Sequence, residues 1–232
     1  MSSVQQIVER QVAKAQMAGI HRTPRVQGEP PAPVITISRE PLAKGELVGR
    51  AVADALGYTY WDHELLARVA QESGALETVL AQRDERIQSP VSDYLESLLV
   101  GIEYSQDEYR RMLVRVVNEV ARLGSAVLVG RASHLILGGD QALRVRVVCP
   151  KRTRVARLRA QEHLSAAEAR HRIRSTERQL RAFVRHHFKH RISAAQDFDL
   201  IVNTGAYTVP QAAEIILAAY RVRFPTEAIE TS

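Results

Sequence analysis

The sequence is poor in cysteine and in aromatic residues, and each scarcity excludes a class of protein. Its 232 residues include one cysteine, Cys149, which excludes an internal disulfide framework and a cysteine-rich zinc site. Aromatic residues make up 5% of the chain, too few to favour a base-stacking platform for nucleic acid. No apolar run reaches the roughly 18 residues that a membrane-spanning helix requires, and charges interrupt residues 1–16 in a way that a signal peptide would not. We therefore expect a soluble cytoplasmic protein.

The positive charge of the chain is concentrated in one segment. Between Lys151 and Arg191, 13 Lys and Arg residues stand against 3 Asp and Glu residues, whereas the rest of the chain carries 19 basic and 23 acidic residues. Arg outnumbers Lys 11 to 2 in this segment, and a guanidinium forms paired hydrogen bonds with phosphate that an ammonium cannot form. The segment favours a polyanionic partner such as nucleotide phosphate, nucleic acid or anionic lipid. A solvated helix face is the alternative.

The first 32 residues have a different composition from the rest. Residues 4–17 place apolar side chains on one helical face, which predicts a short amphipathic helix. Residues 18–33 contain four of the nine prolines, which is typical of an extended linker. We therefore divide the chain into an arm at 1–32 and a compact domain at 33–225. The helix must pack on that domain or on another subunit or protein through residues 1–20, because so short a helix cannot bury its apolar face alone.

Short β-rich runs alternate with helical patterns from residue 34 onward. We predict five strands, at residues 34–37, 58–61, 126–129, 143–149 and 199–202. The predicted helical stretches are one ending at Gly57, one at 62–123 broken near Ser89 and Pro90, an Arg-rich one at 153–190 and one at 208–222. Strands separated by helices indicate an α/β fold with a five-stranded, mostly parallel sheet and helices on both faces. Ligands bind such sheets beyond the carboxyl ends of the strands.

The segment after the first strand, residues 38–46, lies where a phosphate-binding loop is expected. Backbone amides and the amino end of the next helix would hold the anion there. The usual glycines at fixed spacing, followed by Lys and Ser or Thr, are absent. Lys44 precedes the single glycine, Gly45, and Glu46 occupies the region where a Ser or Thr would hold magnesium. The position favours a phosphate site, and the composition argues against a standard one.

Charged residues also follow the second and third predicted strands. Asp62 comes directly after the second strand, and Arg68 lies one and a half turns further along the next helix. A helix cap is the alternative role for Asp62. Arg131 follows the third strand, where a guanidinium would face the ligand cleft unless it belongs to an ordinary surface turn.

Arginines in the basic segment recur with helical spacing. Four of them are separated by four, three and four residues and so share one helix face. They are Arg174, Arg178, Arg181 and Arg185. Because like charges on one face repel, we expect an anion to offset them. His186 and His190 are also four residues apart, but no third ligand is evident and we predict no metal site.

The succession of motifs resembles one family. The motifs are VITISRE, ALGYTYWDHELLARVAQESG, VLVGRASHLIL, an Arg-rich helix pair and FDLIVNTG, over about residues 33–222. In order and spacing they are similar to those of the cytidylate kinase-like family of P-loop nucleoside monophosphate kinases. The resemblance implies a three-layer P-loop kinase fold, ATP and Mg²⁺, and transfer of the γ-phosphoryl group to CMP or a related monophosphate.

The resemblance also implies roles for particular residues. An Arg-rich helical lid at about residues 165–192 would close over the phosphates and exclude water. Such a reaction depends on positioning and charge stabilisation more than on a nucleophilic side chain. The residues implied are Arg178, Arg181 and Arg185 for catalysis, Lys44, Gly45 and Glu46 for the ATP phosphates, and Asp62, Arg68 and Arg131 for the acceptor.

The chain departs from the family pattern in the phosphate loop. Family members carry a stretch resembling GSGG after SRE, where this chain has Leu42, Ala43, Lys44 and Gly45. Leu42 and Ala43 carry Cβ atoms where glycines would let the backbone approach phosphate closely. Three functions therefore stay open: an active monophosphate kinase, a kinase-like nucleotide-binding protein that has lost catalysis, and a nucleic-acid-binding protein that uses the basic helices.

Overall fold

Five short strands form one parallel sheet in a computed structural model of the chain, which describes residues 3–17, 31–72 and 106–225. The strands are β1 (Val34–Arg39), β2 (Thr59–Trp61), β3 (Ala126–Val129), β4 (Ala142–Val148) and β5 (Leu200–Asn203). Their order across the sheet is β2-β3-β1-β4-β5, and all four pairings are parallel. The predicted α/β fold with five parallel strands is confirmed.

Eight helices accompany the strands in the described ranges. They are α1 (Ser3–Met17), α2 (Gly45–Leu56), α3 (helical over 63–72), α4 (Gln106–Leu123), α5 (Ser133–Ile136), α6 (Lys151–Glu162), α7 (Ala166–Phe188) and α8 (Val209–Arg223). The Arg-rich stretch divides into two helices because His163 takes a left-handed conformation. Ser165 then caps α7 in a reciprocal arrangement with Glu168.

Two apolar layers cover the sheet, one on each face. Ile35 and Ile37 point to the face covered by α2 and α8. Their neighbour Val34 points to the opposite face, where α1, α3 and α4 pack. This alternation follows from the two-residue repeat of a strand. The result is the three-layer arrangement in which the carboxyl ends of the strands meet along one edge.

The amino-terminal helix packs on the sheet-covering layer of its own chain. Val4, Ile7 and Val8 are buried and belong to the same apolar cluster as Leu113 and Val116 of α4. Its apolar face is therefore covered within the chain. A contact with another subunit or protein through residues 1–20 stays a prediction.

Some sequence predictions concern residues that the structure does not describe. Most of the proline-rich linker, at 18–30, and the break near Ser89 and Pro90 lie outside the described residues. Within the described residues, no helix combines the length and apolarity that crossing a membrane requires.

A buried histidine lies beneath β1 and β4 on the α4 side of the sheet. His134 is 4% exposed and stacks on Phe198 at 4.7 Å between ring centroids. Its Nε2 atom has no hydrogen-bond partner among the described residues. Burial, reinforced by the nearby guanidinium of Arg146, lowers the pKa of His134 to about 4. The imidazole is therefore neutral in the folded protein at neutral pH.

This histidine should make the protein less stable in mild acid. Between pH 6.5 and 4 the unfolded chain binds a proton that the folded protein does not, so the free energy of unfolding falls as the pH falls. We expect His134 to contribute a loss of about 2 kcal/mol between pH 7 and pH 5. Urea unfolding of the wild type and His134→Leu at both pH values measures it. Equal losses in the two proteins would contradict the assignment, because the two proteins share every other ionisable group.

Candidate functional site

The loop between β1 and α2 takes the backbone shape of a glycine-rich turn without the glycines. Leu42 and Lys44 have φ angles of 64° and 60°, in the left-handed region that non-glycine residues rarely adopt. Lys44 is the residue before α2, and Gly45 is the first residue of that helix. Within the described part of the chain, no side chain caps this helix start. Its first amides therefore point beyond the carboxyl end of β1, where an anion can accept from them.

Two glycines make room for Arg39 beside this loop. A Cβ atom at Gly45 would lie 2.4 Å from the Cβ of Arg39, and one at Gly130 would lie 2.5 Å from its Nη1. No side chain fits at such distances without displacing the arginine. Gly45 therefore lets the side chain of Arg39 pass beneath the start of α2 and reach the ends of β2 and β3.

Arg39 gathers several of the charged residues that follow the strands. Its Nε donates to Glu46 Oε1 at 2.6 Å, and its Nη2 lies 3.2 Å from Nδ1 of His63. Because a guanidinium can only donate, Nδ1 accepts and the proton of the neutral imidazole lies on Nε2. Arg131 Nε donates to the carbonyl of His63 at 3.0 Å. Burial first, and then Arg39 and Arg131, lower the pKa of His63.

Arg146 is a buried cation that has no anionic partner among the described residues. It is 7% exposed, donates from Nη1 to Ser38 Oγ at 2.6 Å and faces the ring of Phe198. No carboxylate of the described residues lies within ion-pair distance of it. Burial lowers the pKa of Arg146 below its usual value; Glu40 opposes this shift, and Arg39 and Arg154 add to it. An uncompensated buried charge is costly, so an anionic ligand at this edge would stabilise it.

Arg154 connects the phosphate loop to the long helix α7. It is 5% exposed, and its Nη1 donates to Glu177 Oε1 of α7 at 2.7 Å. Its Nε donates to the carbonyl of Cys149 at 2.9 Å and lies 3.5 Å from Glu40 Oε2. Glu40 also accepts from the amide of Cys149 at 3.0 Å. One buried guanidinium therefore joins the end of β1, the end of β4 and α7.

The carboxyl edge of the sheet carries more guanidiniums than carboxylates. The guanidiniums that contact the strand ends are those of Arg39, Arg131, Arg146, Arg154 and Arg157. The carboxylates that neutralise them are Glu40, Glu46 and Glu177. Three of the arginines, Arg39, Arg146 and Arg154, are largely buried. The surplus favours binding of an anion beside the loop.

The predicted catalytic arginines lie on the outward side of α7. Arg178, Arg181 and Arg185 are exposed and share one face, and Arg181 has a side-chain exposure of 57%. They line a cavity of about 580 Å³ together with the turn at residues 190–193. The inward face of α7 instead presents Glu177 to Arg154, and Phe183 lies 5.4 Å from the guanidinium of Arg131. Arg181 Nη1 lies 3.9 Å from Glu177 Oε2, and among the described residues none of the three arginines makes a hydrogen bond or ion pair with residues 38–46.

The remaining predicted residues divide into three groups. Gly45, Glu46 and Arg131 belong to the network around Arg39. Asp62 caps α3, since its Oδ1 accepts from the amides of Glu64 and Leu65 at 3.1 and 2.8 Å. The side chains of Lys44 and Arg68 are exposed. Their roles toward ATP or an acceptor stay predictions.

The site fits nucleotide phosphates better than it fits magnesium. The loop amides and the surplus guanidiniums suit phosphate oxygens. Magnesium requires carboxylate or hydroxyl oxygen ligands, but the carboxylates bordering the loop are engaged, Glu46 by Arg39, Glu40 by the Cys149 amide and Asp62 by the α3 amides. In the described ranges, no group of three or more His, Cys, Asp or Glu is placed to hold a metal, and His190 pairs with Asp197. We therefore derive no step through magnesium.

Sequence reasoning missed the buried arginines of this edge. Arg146 belongs to the strand sequence ALRVRVV, whose sheet is covered on both faces. A charged residue in such a strand is a signal of a polar site, because burial of an unpaired charge is unfavourable. Arg154 and Arg157 belong to the basic segment, where they do not differ in type from the exposed arginines. The apolar residues Val155 and Leu158 beside them indicate that α6 has a buried face, and this is the signal that distinguishes these two arginines.

Comparisons with known proteins agree with this geometry. The family model of the cytidylate kinase-like family matches residues 34–206, which include the whole sheet and α7. The chain belongs to the cytidylate kinase-like family. The comparison with curated proteins gave no match.

Solved structures similar to this cytidylate kinase-like chain include a protein from Eubacterium ventriosum described as uncharacterized. It has a TM-score of 0.60 and 16% identity, over 81% of this chain and 97% of that chain, and it supports the fold. Shikimate kinase from Acinetobacter baumannii in complex with shikimate follows at a TM-score of 0.43 and 15% identity, over 84% and 96%. Dephospho-CoA kinase from Campylobacter jejuni has a TM-score of 0.37 and 9% identity, over 80% and 97%. Of these three structures, the Eubacterium ventriosum protein alone has a TM-score high enough to support a statement about the fold.

Proposed function

We propose that this cytidylate kinase-like protein transfers the γ-phosphoryl group of ATP to CMP or a related nucleoside monophosphate. The observation that supports the proposal is the surplus of largely buried guanidiniums around the loop at residues 40–46. Two nucleotides carry several phosphate charges to one place, and phosphoryl transfer is accelerated chiefly by positioning those charges and stabilising them. An edge with a surplus of guanidiniums, including the buried Arg146 that pairs with no carboxylate of the described residues, supplies that stabilisation before the ligand arrives.

The proposal assigns the two nucleotides to neighbouring parts of the edge. The ATP phosphates lie against the amides at the start of α2, with Lys44, Gly45 and Glu46 around them. The acceptor phosphate lies nearer the ends of β2 and β3, beside Arg131, with Asp62 and Arg68 bordering its site. Arg39 lies between the two nucleotide sites. It contacts Glu46 on the ATP side and His63, the neighbour of Asp62, on the acceptor side.

The proposed lid arginines have to move to take part. Arg178, Arg181 and Arg185 face outward in the described conformation, whereas stabilisation of the transferred group requires hydrogen-bond distance. Helix α7 therefore has to turn or tilt when both nucleotides are bound, which would also exclude water. The ion pair between Glu177 and Arg154 would have to break or rearrange in that movement.

Nucleotide binding without catalysis is the second candidate, and a specific observation favours it. Leu42 and Lys44 carry Cβ atoms at the two left-handed positions, and these atoms restrict how closely phosphate can approach the backbone. The carboxylate of Glu46, in the first turn of α2, also repels phosphate at the helix start. A binding protein would tolerate the longer contacts that these features impose, whereas a catalyst would lose rate.

A phosphotransfer assay distinguishes the two candidates. We expect the wild type to form CDP or another diphosphate from ATP and a panel of monophosphates, and Lys44→Ala and Arg178→Ala each to lower the rate about tenfold. Arg221→Ala, at an exposed position on α8, is the matched control and should leave the rate unchanged. Nucleotide binding with no turnover of any monophosphate would establish the second candidate. Strongly salt-dependent binding of RNA or DNA, with no nucleotide bound, would contradict both.

A further inference from the structure

The loop keeps a left-handed residue that its sequence disfavours. Leu42 has a bulky side chain and a φ angle of 64°, a combination that persists only where the surroundings enforce it. Its half-buried side chain packs against the apolar cluster between α6 and α7, which contains Val155, Leu158 and Ile173. The side chain is thereby anchored away from the start of α2, but this contact alone does not fix the orientation of the peptide groups that follow.

Two other residues fix those peptide groups through their carbonyls. Arg157 donates from Nη1 to the carbonyl of Leu42 at 2.9 Å and from Nη2 to the carbonyl of Thr204 at 2.8 Å. The hydroxyl of Thr204 donates to the carbonyl of Ala43 at 2.7 Å, and this contact is buried. Consecutive carbonyls of the loop are therefore each held by a side chain, and Arg157 also binds the backbone carbonyl of Thr204.

The orientation of the carbonyls determines where the amides point. In a planar trans peptide the C=O and N–H bonds point in opposite directions. The amide of Ala43, opposite the carbonyl held by Arg157, donates to the carbonyl of Glu40 at 3.1 Å and closes the turn. The amide of Lys44, opposite the carbonyl held by Thr204, points away from Thr204 and immediately precedes the start of α2. Holding the carbonyls thus aims the loop amides.

We propose that Arg157 and Thr204 are positioning residues that hold this loop in its phosphate-binding shape, in place of the conformational preference that glycine would supply. The proposal rests on the proposed function for its ligand, and it concerns a different property, the orientation of the loop backbone. We call the hydrogen bonds from Arg157 and Thr204 to the loop carbonyls the clamp. A glycine at position 42 adopts a positive φ without strain, so it should make the clamp unnecessary.

The test combines loss of the clamp with relief of the strain. Arg157→Met and Thr204→Val each remove the hydrogen bonds while keeping much of the side-chain volume. We expect each to weaken ATP binding, measured by calorimetry, about tenfold. Adding Leu42→Gly to either variant should restore most of the affinity. Adding Leu42→Ala should not, because alanine removes the apolar contact but does not favour a positive φ. Arg152→Met, at an exposed position of the same helix, is the matched control and should bind ATP as the wild type does.

Amide hydrogen exchange at Ala43, whose amide donates to the carbonyl of Glu40, gives a readout that does not depend on nucleotide. We expect exchange to quicken about tenfold in Arg157→Met and to keep the wild-type rate in Arg152→Met. Unchanged exchange in Arg157→Met, or failure of Leu42→Gly to restore an affinity that Arg157→Met has lost, would overturn the clamp. If the wild type binds no nucleotide, the proposed function fails, and the exchange rates alone decide the clamp. A general loss of folding would appear as faster exchange throughout the sheet and would count against a positioning role.

Discussion

Replacing Arg146 with methionine should weaken ATP binding about 100-fold and at the same time raise the free energy of unfolding by about 1 kcal/mol. These opposite effects have one cause. The guanidinium is buried beside Ser38 and Phe198 without a carboxylate partner among the described residues, so the protein without ligand bears the desolvation penalty of the charge. A bound phosphate would supply the missing anion and recover that penalty as affinity.

Calorimetry and urea unfolding measure the two effects on the same protein. Arg146→Lys is the informative companion, since it keeps the charge and loses the planar hydrogen-bonding geometry. We expect it to bind ATP more tightly than Arg146→Met and to be less stable than that variant. If Arg146→Met bound ATP as tightly as the wild type, the buried guanidinium would have no role in holding phosphate. A lower free energy of unfolding in Arg146→Met would show that the arginine stabilises the fold.

Replacing Arg154 with methionine should lower the free energy of unfolding by about 3 to 5 kcal/mol. Arg154 is buried and pairs with Glu177 and Glu40. Its removal leaves two partly buried carboxylates without their shared cation, and of the described cations only the exposed Arg181, whose Nη1 lies 3.9 Å from Glu177 Oε2, remains within ion-pair distance of one of them. The hydrogen bond to the carbonyl of Cys149 is lost as well. The same substitution should detach α7 from the loop, because Glu177 is its polar contact with this edge.

A second substitution separates the ionic contribution from simple loss of packing. Adding Glu177→Gln to Arg154→Met removes one of the stranded charges, so the double variant should be more stable than Arg154→Met alone. Urea unfolding at neutral pH measures the wild type, the two single variants and the double variant. Stabilities that simply add would contradict a coupled buried network. Arg152→Met, at an exposed position on α6, the helix of Arg154, is the matched control and should leave the free energy of unfolding unchanged.

The sheet and its layers could be predicted because their causes are local. Runs such as VITI and AVLV have the length and residue types of buried strands, and Gly57 ends α2 in a left-handed conformation as predicted. The rule that ligands bind beyond the carboxyl ends of parallel strands predicts a phosphate site at residues 38–46, and that site stays a prediction. An Arg-rich helix pair was expected from the resemblance, but the position of the break at His163 was not, since histidine is not a usual helix breaker.

The residues that make up the site could not be predicted in the same way, because the residues that contact one another there are distant in sequence. Arg146 and Ser38 are 108 residues apart, and Arg157 and Leu42 are 115 apart. The helical spacing of Arg178, Arg181 and Arg185 correctly placed them on one face. Spacing alone does not say which face of a helix turns toward the sheet; that is decided by Ile173, Glu177 and Val184, which are packed or paired inward.

A crystal structure with ATP and CMP bound tests the central claim most directly. The claim is that the guanidiniums at the carboxyl edge exist to hold nucleotide phosphate. We expect the ATP phosphates within hydrogen-bond distance of the amides at residues 44–46, a phosphate oxygen near Arg146, and α7 turned so that Arg178 or Arg181 reaches the transferred group. Nucleotide bound only in the outer cavity between α7 and residues 190–193, with the edge arginines unchanged, would contradict the account.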